Sequence, residues 1–305
     1  MKREKANTPI QKLGTNLYIK RDDLFPYSFG GNKARKGILF FEEIDKGDYD
    51  CVVTYGSSKS NHCRVIANLA AQRKMECYII SPQEQNDVTF NSRMISQFDA
   101  KIINVPTEKV SEEIEKLLSS LKEKNRKPYF IMGGGHGNIG VQAYVNCYEE
   151  IKEYEKENNL FFDYIFLASG TGTTQAGLVV GKLKNDDNRE IIGISIARKN
   201  PRGRDIVVES VKEYLCDYDD NKIQDAVKFI DTYTSGGYGI KSDEISNVIK
   251  EMMINHGINF DATYTGKAFL GMKHYIEENK ITDKKILFIH TGGTPLFFDY
   301  LLEDK

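Results

Sequence analysis

Apolar residues in the first half of the chain occur in short runs, and longer amphipathic stretches separate these runs. The runs, which are rich in Val, Ile and Tyr and favour buried strands, lie at 51–55, 76–80, 101–105 and 128–132. The stretches between them show helical spacing and lie at 60–73, 87–98 and 107–124. Short strands that alternate with helices of this length predict βαβ units and a parallel sheet.

A second series of the same kind follows a glycine-rich run, GGGHG, at 133–137. The pattern predicts a long amphipathic helix from about 138 to 157, and buried strands at 163–168, 190–196 and 285–289, in addition to a short early strand at 17–20. We therefore expect an α/β fold with two parallel-sheet domains, each of three αβα layers. The smaller domain, 36–146, is expected to be inserted in the larger one, 1–35 and 147–305.

The composition favours small-molecule partners. The 305 residues include 42 basic and 44 acidic side chains, and the net charge of -2 gives no field that would gather nucleic acid or an anionic membrane. The apolar runs are too short to span a bilayer, and the amino terminus is charged. Five scattered cysteines without a CxxC pair predict neither a disulfide framework nor a metal site. We expect a reduced, cytoplasmic protein in which the cysteines are small core residues.

The sequence FGGNK at 29–33 is the first candidate for chemistry. Two glycines let the backbone approach a planar ligand, and a lysine in such a crowded corner can lose its proton near neutral pH. A neutral amine attacks carbonyls, so Lys33 is predicted to form a Schiff base, with pyridoxal phosphate as the candidate cofactor. Taken alone, Lys33 would be a solvated surface charge, which is what we expect of Lys36 and Lys46.

The sequence SGTGTTQAG at 169–177 follows a predicted strand and opens an apolar helix. Backbone N–H groups at such a helix start, together with the threonine hydroxyls, would hold a phosphate. The loop does not match a Walker loop, because no lysine follows the glycines, and it does not match the dinucleotide fingerprint of GxGxxG with an acidic residue about twenty positions on. A single terminal phosphate is therefore favoured over an adenine nucleotide, although a structural glycine turn would give the same pattern.

The loop GSSKSNH at 56–62 also joins a strand to a helix. Ser60 is a natural helix N-cap, and Asn61 and His62 fall in the first helical turn. Asn61 could donate to a ring hydroxyl, and the backbone N–H groups at 59–62 could hold a substrate carboxylate. Further candidates are the tyrosine-bearing stretches at 236–239 and 261–267, and the HTGG sequence that begins at His290 and would close the site from the other side. Each of these also has an ordinary core or turn interpretation.

Together, these stretches resemble the tryptophan-synthase-β-like (fold type II) pyridoxal-phosphate enzymes, specifically the branch of 1-aminocyclopropane-1-carboxylate deaminase and D-cysteine desulfhydrase. The resemblance covers nearly the whole chain. It is carried by motifs that appear in the family's order, at 29–33, 60–62, 170–177, 237–239, 264–267 and 290–293. Any one motif is weak, whereas six in order are specific.

The resemblance implies a role for each matched residue. The implied cofactor-binding residues are Lys33, Asn61, Gly170, Thr171, Gly172, Thr173, Thr174, Thr265 and Thr291. The implied catalytic residues are Lys33, Ser60, Tyr238 and Tyr264, and substrate contacts are expected from Lys59, Ser60, Asn61, His62 and Tyr264. A homodimer is implied by the resemblance alone.

Two positions favour one reaction within this family. Thr265 stands where the resembled deaminases carry glutamate. A hydroxyl that faces the pyridine nitrogen would leave that nitrogen neutral, and a neutral ring suits the loss of a good leaving group from Cβ. His62 resembles the desulfhydrases, since the deaminases carry glutamine there. We therefore expect α,β-elimination from a small amino acid such as D-cysteine, in which Lys33 removes the Cα proton and pyruvate, ammonia and sulfide are released.

Other functions remain open at this point. The family also contains the cyclopropane deaminases and β-replacement synthases, and a non-catalytic ligand-binding protein on the same scaffold is a further alternative. Lys59 and His136 depart from the family pattern and suggest a more acidic substrate, such as cysteate. A Lys59 side chain that points into water is an equally good interpretation.

Overall fold

The computed structural model describes residues 7–85, 87–233 and 242–303. The strands of this part of the chain are β1 (Ile10–Lys12), β2 (Leu17–Lys20), β3 (Cys51–Tyr55), β4 (Glu76–Pro82), β5 (Lys101–Val105), β6 (Pro128–Phe130), β7 (Tyr164–Ser169), β8 (Glu190–Ser195), β9 (Lys228–Ile230) and β10 (Ile286–Ile289). Its helices are α1 (Gly31–Ile44), α2 (Asn61–Ala71), α3 (Phe90–Gln97), α4 (Val110–Glu123), α5 (Asn138–Asn158), α6 (Thr173–Lys184), α7 (Arg202–Leu215), α8 (Asp220–Ala226), α9 (Asp243–His256), α10 (Thr265–Glu278) and α11 (Thr294–Glu303). Among these helices, none combines the length and the apolar character needed to cross a bilayer.

The larger sheet has six strands in the order β1-β2-β10-β7-β8-β9 and is parallel except where β1 pairs antiparallel with β2. Alternate residues of its central strands face opposite sides, as pleating requires. Ile165 and Leu167 of β7 pack with apolar residues of α5 and α6. Phe166 faces the other side and packs with α9 and α10. The sheet therefore forms the middle of three layers, as expected.

The smaller sheet has four parallel strands in the order β5-β4-β3-β6. Val52 of β3 packs on one side with α1 and α2. Its neighbour Val53 packs on the other side with α4. This second three-layer unit confirms the predicted fold class. Helix α5 runs without a break through the boundary predicted at residue 146, and the two domain boundaries stay a prediction.

Some elements differ from the sequence prediction at their ends. Strand β6 ends at Phe130, because the chain then turns into the glycine-rich run. Helix α3 begins at Phe90 rather than at 87, because Thr89 and Ser92 form a reciprocal capping box. The pattern did not reveal β1 and β9, since three residues are too few to show a period.

A buried ionic cluster fixes α1 to the larger sheet. Asp22, which is fully buried, accepts hydrogen bonds from Arg35 Nη2 at 2.8 Å and from the Tyr144 hydroxyl at 2.6 Å. Arg35 also pairs with Glu150, at 2.5 Å, and Glu150 with Lys20, at 2.7 Å. Because α1 carries Lys33, the cluster holds the start of this helix in a defined position.

Candidate active site

A cavity of about 370 Å³ lies where the carboxyl ends of strands from both sheets meet. The loops after β3, β6, β7, β8 and β10 line it, together with the start of α1 and Tyr264. Ligands of open parallel sheets bind at this edge, because loops and helix amino termini converge there. The geometry brings residues from three predicted motifs, Lys33, Asn61 and Thr171, into one cavity.

Two backbone segments meet at the start of α1. The N–H of Asn32 donates to the carbonyl of Thr291 at 2.9 Å. Gly31 has φ +87°, and a Cβ there would lie 2.7 Å from the same carbonyl oxygen and 3.1 Å from the Cα of Gly292. A side chain would therefore separate the FGGNK turn from the HTGG turn, and this contact explains the glycines at 31 and 292.

Lys33 projects its amine towards the cavity. Its Nζ donates to the carbonyl of Gly134 at 3.1 Å. Burial lowers the pKa of Lys33 to about 8, and Cys63 opposes this shift. A substantial share of the amine is therefore neutral at pH 7 to 8, which is the form that attacks a carbonyl. The role of Lys33 as the nucleophile stays a prediction, and its position and lowered pKa support that role.

The glycine–threonine turn after β7 faces Lys33. Gly170, Thr171, Gly172 and Thr174 line the cavity, and α6 begins at Thr173. The Asn32 side-chain amide donates to Thr174 Oγ1 at 3.0 Å, which ties the turn to the residue beside Lys33. Free N–H groups at this helix start suit one phosphate group.

The hydroxyl of Thr173 is engaged differently from the other threonines of this turn. It forms a 2.9 Å hydrogen bond with Nδ1 of His136, and the Thr173 side chain is buried. His136 therefore supports the turn from behind the cavity.

Lys36 is buried, so the expectation of a solvated surface charge was wrong. Its side chain is 1% exposed, and its Nζ has no hydrogen-bond partner in the described part of the chain. Burial, and then the nearby charge of Lys33, hold the pKa of Lys36 well below its usual value. It lies against the 133–137 run, since a Cβ on Gly135 would be 3.3 Å from Lys36 Cδ. A buried amine without a partner is costly, and an anionic ligand would remove that cost.

Asn61 presents a defined end of its amide to the cavity. Its Oδ1 accepts a hydrogen bond from Asn91 Nδ2 at 3.0 Å and a longer one from Arg64 Nη2 at 3.5 Å. Nδ2 is therefore the end left to donate into the cavity, which Asn61 lines. A phenolic ring oxygen is a suitable acceptor for it.

The first turn of α2 contributes two further groups. Ser60 caps the helix, since its Oγ accepts from the Cys63 N–H at 3.1 Å, and Ser60 lines the cavity. His62 Nε2 lies 2.8 Å from Thr54 Oγ1, which donates its only proton to the carbonyl of Ile131. His62 therefore donates from Nε2. Burial, and then Lys33 and Lys36, hold the pKa of His62 well below its usual value, so the ring is neutral.

The TYTGK motif is organised by the buried carboxylate of Asp261. One oxygen accepts from the backbone N–H groups of Thr263 and Tyr264, and the other from the N–H and the hydroxyl of Thr265. Tyr264 and Thr291 line the cavity. Thr265 is fully buried, and its hydroxyl proton goes to Asp261 at 2.8 Å. Its predicted contact with a pyridine nitrogen stays a prediction.

Lys59 and His290 lie away from the reacting space. Lys59 is 43% exposed and forms a 3.0 Å ion pair with Asp87. His290 is fully buried, donates from Nε2 to the carbonyl of Asn259 and accepts the Gly292 N–H on Nδ1. His290 is therefore a neutral residue that shapes the HTGG turn. Tyr238, a predicted catalytic residue, lies outside the described residues.

The sequence prediction missed four residues at or beside the cavity: Tyr55, Arg198, Lys36 and Asn91. Signals existed for the first three. Tyr55 and Arg198 follow the carboxyl-end rule for parallel strands, and Lys36 stands one helical turn after Lys33. No local pattern indicates Asn91, because it meets Asn61 across 30 positions of sequence.

The donors present fit a cofactor that carries an aldehyde and one phosphate. Lys33 supplies the nucleophilic amine, and the turn after β7 supplies the N–H groups. Lys36 supplies a buried amine that has no hydrogen-bond partner within the described residues. A Cβ on Gly134 would come within 2.8 Å of Thr171 Cγ2 and 3.3 Å of Lys33 Nζ, so glycine keeps the space between amine and turn open.

Comparison with known proteins agrees with this geometry. The family model described as "Pyridoxal-phosphate dependent enzyme" matches residues 2–292. The D-cysteine desulfhydrase of Yersinia pestis strain Pestoides F is 31% identical over 96% of this chain and 93% of its own length. That of Serratia proteamaculans is 30% identical over the same shares. A solved structure described as an ACC deaminase homologue has a TM-score of 0.84 at 29% identity, covering 97% of this chain and 93% of that one.

The family match spans both sheets and the motifs between residues 29 and 292. These similarities confirm the fold type II resemblance and the cofactor that was predicted from Lys33 and the glycine–threonine turn. The chain belongs to the pyridoxal-phosphate dependent enzymes.

Proposed function

We propose that this enzyme catalyses α,β-elimination from a small amino acid, with D-cysteine as the first substrate to test. The observation that carries the proposal is the pairing of a Lys33 amine, whose pKa is lowered to about 8, with a phosphate-binding turn across one cavity. The desulfhydrase relatives support the choice of substrate.

The chain's own groups have distinct tasks in this reaction. The bound cofactor supplies an electron sink that makes a proton at Cα acidic. Lys33 would hold the cofactor aldehyde, and its free amine would be the general base for that proton. Ser60 and the amino terminus of α2 bind the substrate carboxylate, and Asn61 Nδ2 donates to the ring oxygen of the cofactor. Tyr264 borders the space that the substrate enters.

The environment of residue 265 supports elimination over ring opening. The carboxylate of Asp261 is buried beneath this position and already accepts four hydrogen bonds. Burial raises the pKa of Asp261, and the hydrogen bonds from Thr265, Tyr264 and Thr263 oppose that shift. A glutamate at 265 would place a second carboxylate beside it, at a large electrostatic cost. Thr265 instead donates a proton to Asp261.

The cellular context and the assembly are two further proposals. All five cysteines are free thiols, and four are buried, which supports a reducing, cytoplasmic location. The homodimer rests on the family resemblance. Light scattering of the purified protein at several concentrations would measure the mass in solution, and a concentration-independent monomer mass would exclude the dimer.

The proposal is tested by a spectrum and an assay. We expect the purified enzyme to bind pyridoxal phosphate with a visible absorption band that Lys33→Ala abolishes and that Lys46→Ala, at an exposed position near the end of the same helix, preserves. Pyruvate release is then measured with D-cysteine, L-cysteine and D-serine, and 2-oxobutyrate release with 1-aminocyclopropane-1-carboxylate. Release from D-cysteine supports the proposal. The absence of pyruvate from all of the first three substrates would reject the proposal, and conversion of these substrates to a thioether amino acid that needs an added thiol would indicate a synthase.

A further inference from the structure

Arg198 is a cation of the cavity wall that the proposed reaction does not use. It follows β8 and lines the cavity. Its Nη1 atom is buried and, among the described residues, has no hydrogen-bond partner. A guanidinium remains charged in proteins, and burying one of its donors without an acceptor is unfavourable. The free cavity therefore contains a donor that a bound ligand can satisfy.

The Arg198 side chain reaches towards the smaller sheet. Burial, and then the like charge of Arg202, lower the pKa of Arg198, whereas Tyr55 at the end of β3 opposes that shift. Arg198 in turn contributes to the lowered pKa of His136, in the run after β6. Arg198 therefore interacts electrostatically with groups of both sheets and shares the cavity wall with Tyr55.

The position leaves room for a second anion. In the proposed function, the substrate carboxylate is held at the amino terminus of α2 by Ser60. Lys59, the cation suggested by the sequence for an acidic side chain, is paired with Asp87 instead. Arg198 offers a planar pair of donors that suits the oxygens of a carboxylate, sulfonate or phosphate.

We propose that Arg198 binds an oxyanion inside the cavity, in addition to the substrate's α-carboxylate. This inference rests on the proposed function, because that function identifies the cavity as the reaction site. Two groups carry the required chemistry: an acidic group on the substrate side chain, and the phosphate of the cofactor. The first source would make acidic amino acids preferred substrates. The second would make Arg198 part of the cofactor site.

The first arm of the test uses two amino acids of nearly equal shape that differ in charge. The wild-type holoenzyme, Arg198→Gln and Arg202→Gln are titrated with both enantiomers of aspartate and asparagine, and the visible band of the cofactor is followed. Arg202 is exposed and does not line the cavity, so it controls for the loss of one nearby positive charge. A side-chain oxyanion on Arg198 predicts about tenfold or greater preference for aspartate in the wild type. Arg198→Gln removes that preference and Arg202→Gln keeps it.

The second arm measures the cofactor. The apoenzymes are titrated with pyridoxal phosphate and with pyridoxal, which lacks the phosphate. A phosphate on Arg198 predicts that Arg198→Gln weakens binding of pyridoxal phosphate about tenfold and leaves pyridoxal unchanged. Arg198→Lys keeps the positive charge. It should therefore recover part of the affinity that Arg198→Gln loses, whether for aspartate or for pyridoxal phosphate. Thermal unfolding of each variant separates a folding defect from a binding defect.

The outcomes separate the two levels of the proposal. A wild type that does not bind pyridoxal phosphate rejects the proposed function, and this inference with it. A wild type that binds the cofactor, with Arg198→Gln unchanged in both arms, rejects the role of Arg198 alone. Neither arm requires turnover, so the absence of pyruvate from D-cysteine does not decide either of them.

Discussion

Asn91 donates a 3.0 Å hydrogen bond to Oδ1 of Asn61 and thereby decides which end of the Asn61 amide faces the cavity. The same Asn91 Nδ2 donates to the carbonyl of Lys59 at 2.9 Å. One buried amide therefore holds both the loop after β3 and the side chain of Asn61 in place. Asn91 has no exposed surface and stands in the first turn of α3. It is a positioning residue, because it acts through Asn61 rather than on a ligand.

Asn91→Asp should weaken cofactor binding. The carboxylate would face two oxygen atoms, Asn61 Oδ1 and the Lys59 carbonyl, and the Asn61 amide would lose the donor that orients it. An unsatisfied buried polar group costs about 1–3 kcal/mol, so we expect about a tenfold or greater loss of affinity. Titration of the apoenzyme with pyridoxal phosphate measures it. Asn68→Asp, on the partly exposed side of α2, is the control, and equal affinities for both variants would refute the positioning role.

Asp22→Asn should destabilise the protein strongly. Burial alone would raise the pKa of Asp22, but the charges of Arg35 and Lys20 and the hydrogen bonds from Arg35 and Tyr144 outweigh it and lower the pKa to about 2. Removing one partner of a buried ion pair costs about 3–5 kcal/mol. Urea unfolding at pH 7 measures this. Asp50→Asn, in an exposed pair with Arg126, should cost at most about 1 kcal/mol, and similar losses at the two sites would contradict the prediction.

The same carboxylate gives a pH dependence of known sign. Its folded pKa of about 2 lies below the unfolded value of 3.8, so the native state holds fewer protons between these values. The stabilisation from Asp22 is complete above pH 4 and is lost as the pH falls from 4 towards 2. Asp22→Asn should therefore show a smaller loss of unfolding free energy over this interval than the wild type. If the unfolding free energy of Asp22→Asn falls as steeply as that of the wild type, other groups cause the acid sensitivity.

Gly134→Ala should impair both folding and cofactor binding. Gly134 has φ +76°, and the added Cβ would lie 2.8 Å from Thr171 Cγ2. Gly257 has φ +64° with no atom within 4 Å of such a Cβ, so Gly257→Ala carries the backbone strain without the collision. Strain alone costs about 1–3 kcal/mol in either variant. Only Gly134→Ala should also lose affinity for the cofactor. Equal affinities of the two variants in a cofactor titration would show that the turn after β7 shifts to make room for the added Cβ.

The fold and the centre of the site could be predicted from the sequence because both depend on local sequence patterns. The buried runs of β3, β7 and β10 and the helical spacing between them define two parallel sheets, and the carboxyl-end rule then places the loops that follow them together. Lys33, Asn61 and Thr171 meet in one cavity for this reason.

The remaining residues depend on contacts between distant segments. Asn61 is oriented by Asn91, which stands 30 positions later in the chain. The sequence suggested Lys59 as a cation of the substrate site, and in the structure Lys59 forms an ion pair with Asp87. Such pairings are decided by which side chains packing brings together, and a single sequence does not contain that information.

Lys36→Met should change stability and cofactor affinity in opposite directions. The Lys36 amine is buried and, in the described part of the chain, has no hydrogen-bond partner, whereas methionine fills a similar volume without a polar atom. Removing an unsatisfied buried donor should raise the unfolding free energy of the apoenzyme by about 1–3 kcal/mol.

If Lys36 neutralises the cofactor phosphate, the same substitution should weaken binding of pyridoxal phosphate at least about tenfold while leaving pyridoxal binding unchanged. Lys46→Met, at an exposed position just beyond α1, is the matched control and should alter neither quantity. Unfolding of the apoenzyme in urea and titration with the two aldehydes measure the two effects on one preparation. A Lys36→Met apoenzyme that is less stable than the wild type would show that the buried amine has a partner in solution. A variant that gains stability and still prefers pyridoxal phosphate over pyridoxal would show that Lys36 does not contact the phosphate. The backbone N–H groups of the turn after β7 would then hold the phosphate without Lys36.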